Sequence, residues 1–194
     1  MGYKNILAAG LTVATMMVGA TAASAATTYD NCTSFTLDQN GGDGSVKVLG
    51  PGAFTCAFSL VGSDTSTVPF TDGVVTTFSA TADGSKSITG SFGYATNDLG
   101  GSSFDPFGYF INDTFFELTT SLAAPAFQSG TFAFNVQAGD VFGYYINAID
   151  NFGGAANGTA FFDVTAVPVP ASALLLLGAM GGLGAMRRRK AAKA

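Results

Sequence analysis

Between residues 26 and 166 the sequence is divided into short runs of β-branched and aromatic residues, and none of them repeats with a helical apolar period. The runs recur about every 8–12 residues, separated by Gly, Asn, Asp, Ser and Pro, which form turns. Segments this short, with this period, dictate strands rather than helices. Residues 46–49 form a first short run, and residues 54–61 alternate, with Phe54, Cys56, Phe58 and Leu60 on one face. Residues 74–81 and 87–94 flank Asp83-Gly84, which reads as a type I′ hairpin because that turn needs two residues of positive φ. Residues 107–111 and 114–118 flank Asn112-Asp113, a second hairpin with a two-residue turn. Residues 119–130 read as looser chain, and residues 131–136 point Phe132, Phe134 and Val136 inward. Residues 141–149 are apolar on both faces, as a central strand is, and residues 159–164 supply the last strand. The expected fold is therefore all-β: a single antiparallel β-sandwich of jelly-roll type with eight or nine strands. An immunoglobulin-like sandwich is the alternative, weakened by the absence of Trp.

The two ends of the chain do not share this pattern. Lys4 precedes a thirteen-residue apolar stretch (6–18), and Ala23-Ser24-Ala25 has the small-x-small form of a signal-peptidase site, with Ala23 and Ala25 as its small residues. Residues 1–25 thus read as a secretory signal peptide. At the other end, residues 167–194 run from a Pro-bearing motif through a sixteen-residue apolar run (171–186) to the basic block Arg187, Arg188, Arg189 and Lys190. As a helix that run would span roughly 24 Å, short of the ~30 Å hydrocarbon core, a marginal transmembrane anchor with its basic end on the cytoplasmic side. The expected organisation is signal peptide 1–25, sandwich 26–166 and C-terminal segment 167–194.

The middle segment contains all eighteen Phe and all thirteen acidic residues, against only Lys47 and Lys86, for a net charge of −11. A body this acidic repels phosphate backbones, so nucleic acid is excluded as a partner. Cys32 and Cys56 are the only cysteines, and in an exported domain an even number reads as a disulfide.

Candidate chemistry is sparse. No His is present, which removes the usual general base and the commonest zinc ligand. A paired-carboxylate hydrolase would have to use Asp98, Asp105, Asp113 or Asp150, all in or beside loops. Each also reads as an ordinary turn former. No cofactor is expected. A structural calcium is the better chemical alternative, with Asp38, Asn40 and Asp43 at turn spacing, and with Asn97-Asp98, Asp105, Asn112-Asp113 and Asp150-Asn151 able to converge at one end of a sandwich. The 38–44 stretch fails the EF-hand pattern at its third ligand position. Sugar stacking, without Trp, would fall to Tyr94, Tyr109, Tyr144 or Tyr145, for most of which core packing is the ordinary role.

The C-terminal segment resembles the PEP-CTERM class of bacterial sorting signals, in its V-P-L-P-A subtype. Val167, Pro168, Val169, Pro170 and Ala171 match four of that motif's five positions, with Val169 in place of Leu, and the apolar run and basic block follow in the family's order. The resemblance covers 28 of 194 residues. It implies export in a Gram-negative bacterium, removal of the leader by signal peptidase, transient residence in the inner membrane, and cleavage by an exosortase. It also implies delivery to the cell surface or extracellular matrix alongside exopolysaccharide. The expected function is that of a non-enzymatic surface or matrix protein. A glycan-active hydrolase and a calcium-dependent adhesin are the alternatives.

Overall fold

The computed structural model describes residues 29–50, 52–65, 73–122, 126–150 and 154–167. Among the described residues ten strands are divided between two layers: β1 (Thr36–Asp38), β2 (Ser45–Val48), β3 (Cys56–Val61), β4 (Val74–Thr81), β5 (Lys86–Thr96), β6 (Phe107–Ile111), β7 (Thr114–Glu117), β8 (Ala126–Val136), β9 (Val141–Ala148) and β10 (Asn157–Ala166). One sheet has the order β1-β4-β9-β6-β7 and the other β2-β3-β10-β5-β8. Every strand pair is antiparallel. The fold is an antiparallel β-sandwich of jelly-roll type, as the strand pattern predicts. The expected signal peptide, most of the sorting motif, the apolar run and the basic block lie outside the described residues. Among the described residues no helix is long and apolar enough to cross a membrane.

The core is a layer of aromatic rings contributed by the inner faces of both sheets. Phe58, Phe107, Phe142, Tyr144 and Phe162 are fully buried. Phe58 packs on Phe78, Tyr144 and Phe162 at centroid separations of 5.0, 5.1 and 6.2 Å, joining both sheets. The close fit of the layers restricts what the strands can carry: a Cβ at Gly158 would meet the Phe107 ring at 2.4 Å, so only glycine lets β10 lie under that ring. Tyr144 sits in this layer with its hydroxyl buried and without a hydrogen-bond partner among the described residues. A buried unsatisfied hydroxyl carries an uncompensated desolvation cost. Tyr144→Phe is therefore expected to raise stability by about 1 kcal/mol, read as a higher urea midpoint at unchanged slope.

Several strand assignments follow the sequence pattern and others depart from it. Phe132, Phe134 and Val136 are buried, β9 is central in its sheet, and β6 and β7 pair through the two-residue turn at Asn112-Asp113 with Asn112 at φ 53°. The Asp83-Gly84 hairpin does not form. β4 and β5 lie in different sheets, and neither Asp83 nor Gly84 adopts positive φ. β4 is paired with β1 and β9, and β5 with β10 and β8, each on both sides within its own sheet, and residues 82–85 carry the chain across the sandwich. Asp83 is held there by an ion pair with the buried Lys86 (2.8 Å) and by its amide donating to the Tyr29 hydroxyl (3.1 Å). The turn at 137–140 likewise carries β8 in one sheet to β9 in the other. β8 begins at Ala126, inside the stretch expected to be loose, because pairing along β5 overrides the Gly130 break. The third strand begins at Cys56 rather than at 54, and Phe54 is 42% exposed, outside the strand.

Candidate functional site

Antiparallel pairing fixes which loops share an end of the sandwich. The described parts of five connections, 39–44, 62–65, 97–106, 118–122 and 149–150 with 154–156, lie at one end, and Val167, the last described residue, lies at the other. Contacts between loops confirm the grouping: the Gly62 amide donates to the Ala156 carbonyl (3.0 Å), Ser102 to that of Leu122 (3.2 Å), and Ile149 to that of Phe104 (2.7 Å). Val167 donates to the Ser85 carbonyl (3.0 Å) at the opposite end, where Tyr29 also lies against Thr81 and Asp83.

The five-loop end is the acidic one. Asp98 and Asp105 are each 2% exposed. Asp98 accepts the Gly100 amide at 2.6 Å, while the Thr96 hydroxyl donates to Asp105 Oδ2 at 3.3 Å and the Tyr94 hydroxyl to the Asp105 carbonyl at 2.9 Å. Burial pushes the Asp105 carboxyl up to about 7, and the charges of Asp98, Asp150 and Asp64 push in the same direction. Burial also raises Asp98, and a shared hydrogen bond and like charge with Asp150 add to it. Lys47 and Lys86 are the only cations among the described residues, and Lys86 is paired with Asp83 at the other end.

Of the acid-bearing loops expected to converge, those carrying Asp98, Asp105 and Asp150 do meet, joined by Asp64, which sequence reasoning did not single out. Asn112-Asp113 does not join them: it forms the β6–β7 turn at the opposite end, with Asn112 bonded to Asp140 (3.0 Å). In the 38–44 loop, Asp38 Oδ1 accepts the Asn40 amide (2.9 Å). Asp43 Oδ1 accepts the Asp64 amide (2.8 Å) and the Ser63 hydroxyl (2.9 Å), which hold its carboxyl below the usual range. Among the described residues no three of the acidic side chains are placed to share one ion. The tyrosines weighed for sugar stacking are packed instead: Tyr94, Tyr144 and Tyr145 are buried, and Tyr109 lies between Phe116 (4.9 Å) and Phe134 (4.3 Å). Burial and then the charge of Glu117 push the Tyr145 phenol up to about 12.

A second concave feature lies near the disulfide. Cys32 and Cys56 are bonded, with Cα atoms 4.9 Å apart, as the sequence led us to expect. The bridge ties the turn Asp30–Cys32 to the start of β3, and beside it a cleft of about 270 Å³ is lined by Asp30, Asn31, Gly52, Phe54 and Thr55. Asn31 and Cys32 both adopt left-handed backbone, at φ 53° and 57°, and the Asn31 amide donates to the Thr55 carbonyl (2.9 Å). Phe54 leans on Phe161 of β10 at 5.7 Å, and Asp163 anchors Thr55 by accepting its amide (2.9 Å) and hydroxyl (3.2 Å). Sequence reading missed this cleft by placing Phe54 in phase with the inward residues of its strand. The Gly50-Pro51-Gly52 turn signal just before it was the available hint that the strand begins later.

No protein-family model matches this sequence, and no curated protein matches it. Among solved structures, the chain is similar to a bacteriophage CBA120 tailspike protein 4 domain at 14% identity and TM-score 0.35, over 69% of this chain and only 20% of that one. It is similar to a family 35 carbohydrate-binding module from Clostridium thermocellum at 14% identity and TM-score 0.31, over 69% of this chain and 99% of the module. A Xyl-CBM35 in complex with a glucuronic acid containing disaccharide gives 19% identity and TM-score 0.34, over 69% and 98% of the two chains. At these scores the similarities carry no argument about ligand or activity.

Proposed function

We propose that this chain is an exported, non-enzymatic surface or extracellular-matrix protein whose sandwich associates with extracellular polysaccharide, and whose residues 167–194 are the sorting signal read by an exosortase. The observation that carries the reading is the C-terminal sequence itself, in which the V-P-V-P-A motif, an apolar run and a basic block follow β10 in that order. β10, a central strand, is paired through Ala166, and the V-P-V-P-A motif begins at the next residue, Val167, which is 43% exposed. A motif read by a processing enzyme has to be accessible, and the exposure of Val167, its first residue, supports that.

Non-catalytic association is favoured over hydrolysis by the state of the carboxylates. A paired-carboxylate hydrolase needs two acids roughly 5–9 Å apart across the scissile bond in an open cleft. Asp98 and Asp105 are buried and occupied by the Gly100 amide and the Thr96 hydroxyl. The test is co-sedimentation of the mature protein with matrix polysaccharide from its own host, with reducing ends measured in parallel. Retention without new reducing ends is expected. Release of reducing ends would support the hydrolase instead, and retention lost on chelation and restored by calcium would support the adhesin.

A further inference from the structure

We propose that the outer face of the β2-β3-β10-β5-β8 sheet, together with the cleft beside Phe54, is a binding site for an uncharged polysaccharide, with one sugar residue seated against the Phe54 ring. The inference rests on the polysaccharide reading above and names the surface and the sugar class within it.

The charge distribution comes first. The body carries −11, yet the side chains that the five strands turn outward on this sheet include only two charges, Lys47 on β2 and Asp163 on β10. The rest is largely hydroxyl: Ser59, Ser87, Thr89, Ser91, Thr131 and Thr159 are all at least partly exposed, while their neighbours along each strand are glycine or turn into the core. Register places them in rows, with Ser59 beside Thr159 and with Phe161, Ser91 and Thr131 side by side across three strands. An array of short hydroxyls offers donors and acceptors in both senses and no field, which suits the alternating hydroxyls of a neutral glycan. An anionic glycan would meet Asp30, Asp163 and the acidity of the whole body.

Phe54 supplies the apolar half of the site. Its exposed ring is braced from beneath by Phe161, and the negative face of such a ring attracts the polarised C–H groups of a pyranose. The adjoining cleft, at about 270 Å³, falls just below the range of roughly 300–1,000 Å³ for drug-sized ligands, room for one sugar ring with the chain continuing over the sheet. Asp30 can accept two hydroxyls, and the Asn31 amide can both donate and accept.

Backbone strain singles out Asn31. Two consecutive non-glycine residues in left-handed conformation cost free energy, more at Cys32 than at Asn31, and the disulfide holds both in place. Glycine at position 31 would relieve part of that cost. Asn is the non-glycine residue that best tolerates this conformation, and here it also places a side-chain amide at the cleft.

Affinity electrophoresis through gels containing a neutral glucan, a galactomannan or polygalacturonate tests the proposal, with the host matrix polysaccharide as a fourth gel. The native protein is expected to be retarded by the host polysaccharide and by at least one neutral polymer, but not by polygalacturonate. Phe54→Ala should weaken retardation at least tenfold, and Asn31→Gly severalfold while leaving the melting temperature the same or higher. Leu99→Ala, which removes an 84% exposed side chain from the five-loop end, away from this face, should change nothing. Native binding that survives both Phe54→Ala and Asn31→Gly would overturn the site and leave the polysaccharide reading standing. Stronger retardation by polygalacturonate would overturn the uncharged class. No retardation by any gel, the host polysaccharide included, would overturn the polysaccharide reading itself.

Discussion

Between pH 4 and pH 8 the sandwich is expected to lose about 4 kcal/mol of stability, seen as a fall in melting temperature of roughly 10 °C. The cause is Asp105, whose buried carboxyl titrates at about 7 against an ordinary 3.8. Between those two values the folded state retains a proton that the unfolded chain has released, so stability falls as pH rises through that window. Below pH 4 both states hold the proton and the contribution is complete; above pH 7 both have lost it and the loss levels off. Asp98, raised by burial and by Asp150, adds in the same direction. Asp43 and Asp140 are lowered by the hydrogen bonds they accept and act in the opposite sense, but only as pH falls below the ordinary carboxylate range. The optimum is therefore mildly acidic. Asp105→Asn should remove most of the slope and stabilise the protein at pH 8 by a similar amount, because a neutral amide can still accept from the Thr96 hydroxyl. The melts are run in chelator, so that no adventitious cation sets the charge of these loops. A melting temperature that rises from pH 5 to pH 8 would contradict the account of this end of the sandwich.

Removing the disulfide is the second large perturbation. The bridge closes a loop of sequence separation 24, for which chain entropy alone gives about 3 kcal/mol. Its position adds a structural reason. Tyr29 and Phe35 flank Cys32 on the N-terminal segment, and both are buried, Phe35 packing on Phe78, Phe142 and Phe162. The short strand β1 (Thr36–Asp38) lies at a sheet edge with all three residues exposed, so it buries little apolar surface. Without the bridge, that segment is kept in place by two aromatic side chains, the hydrogen bonds of Tyr29 and Asn31, and the three-residue pairing of β1 with β4. Cys32→Ser with Cys56→Ser is expected to lower stability by about 3 kcal/mol and to expose residues 29–38 to protease before the rest of the sandwich. A double variant with unchanged urea midpoint and unchanged proteolysis would show the segment to be held by packing alone.

Fold class, most strand positions and the disulfide were legible in the sequence because each rests on local signals: alternation, turn residues and cysteine parity; the three-residue edge strand β1 carries too short a pattern to be seen. Which sheet a strand joins was not. Asp83-Gly84 carries the strongest local hairpin signal in the chain, yet tertiary pairing of β4 with β9 and of β5 with β10 and β8 separates the two strands. The burial of Asp98 and Asp105 was equally hidden, because an Asp in a loop looks the same in sequence whether it caps a surface turn or is enclosed by neighbouring loops. Long-range closure of five loops decides that, and no short window of sequence contains it. Phe54 shows the converse: a two-residue error in a strand boundary turns a core ring into an exposed one.

The central claim is that residues 167–194 are an address rather than a permanent part of the molecule. Intact-mass spectrometry of the protein isolated from its own host envelope and matrix tests it most directly. The account predicts a species beginning at Ala26, carrying the Cys32–Cys56 bridge and lacking residues 187–194. A mature species that retains residues 187–194 intact would contradict it.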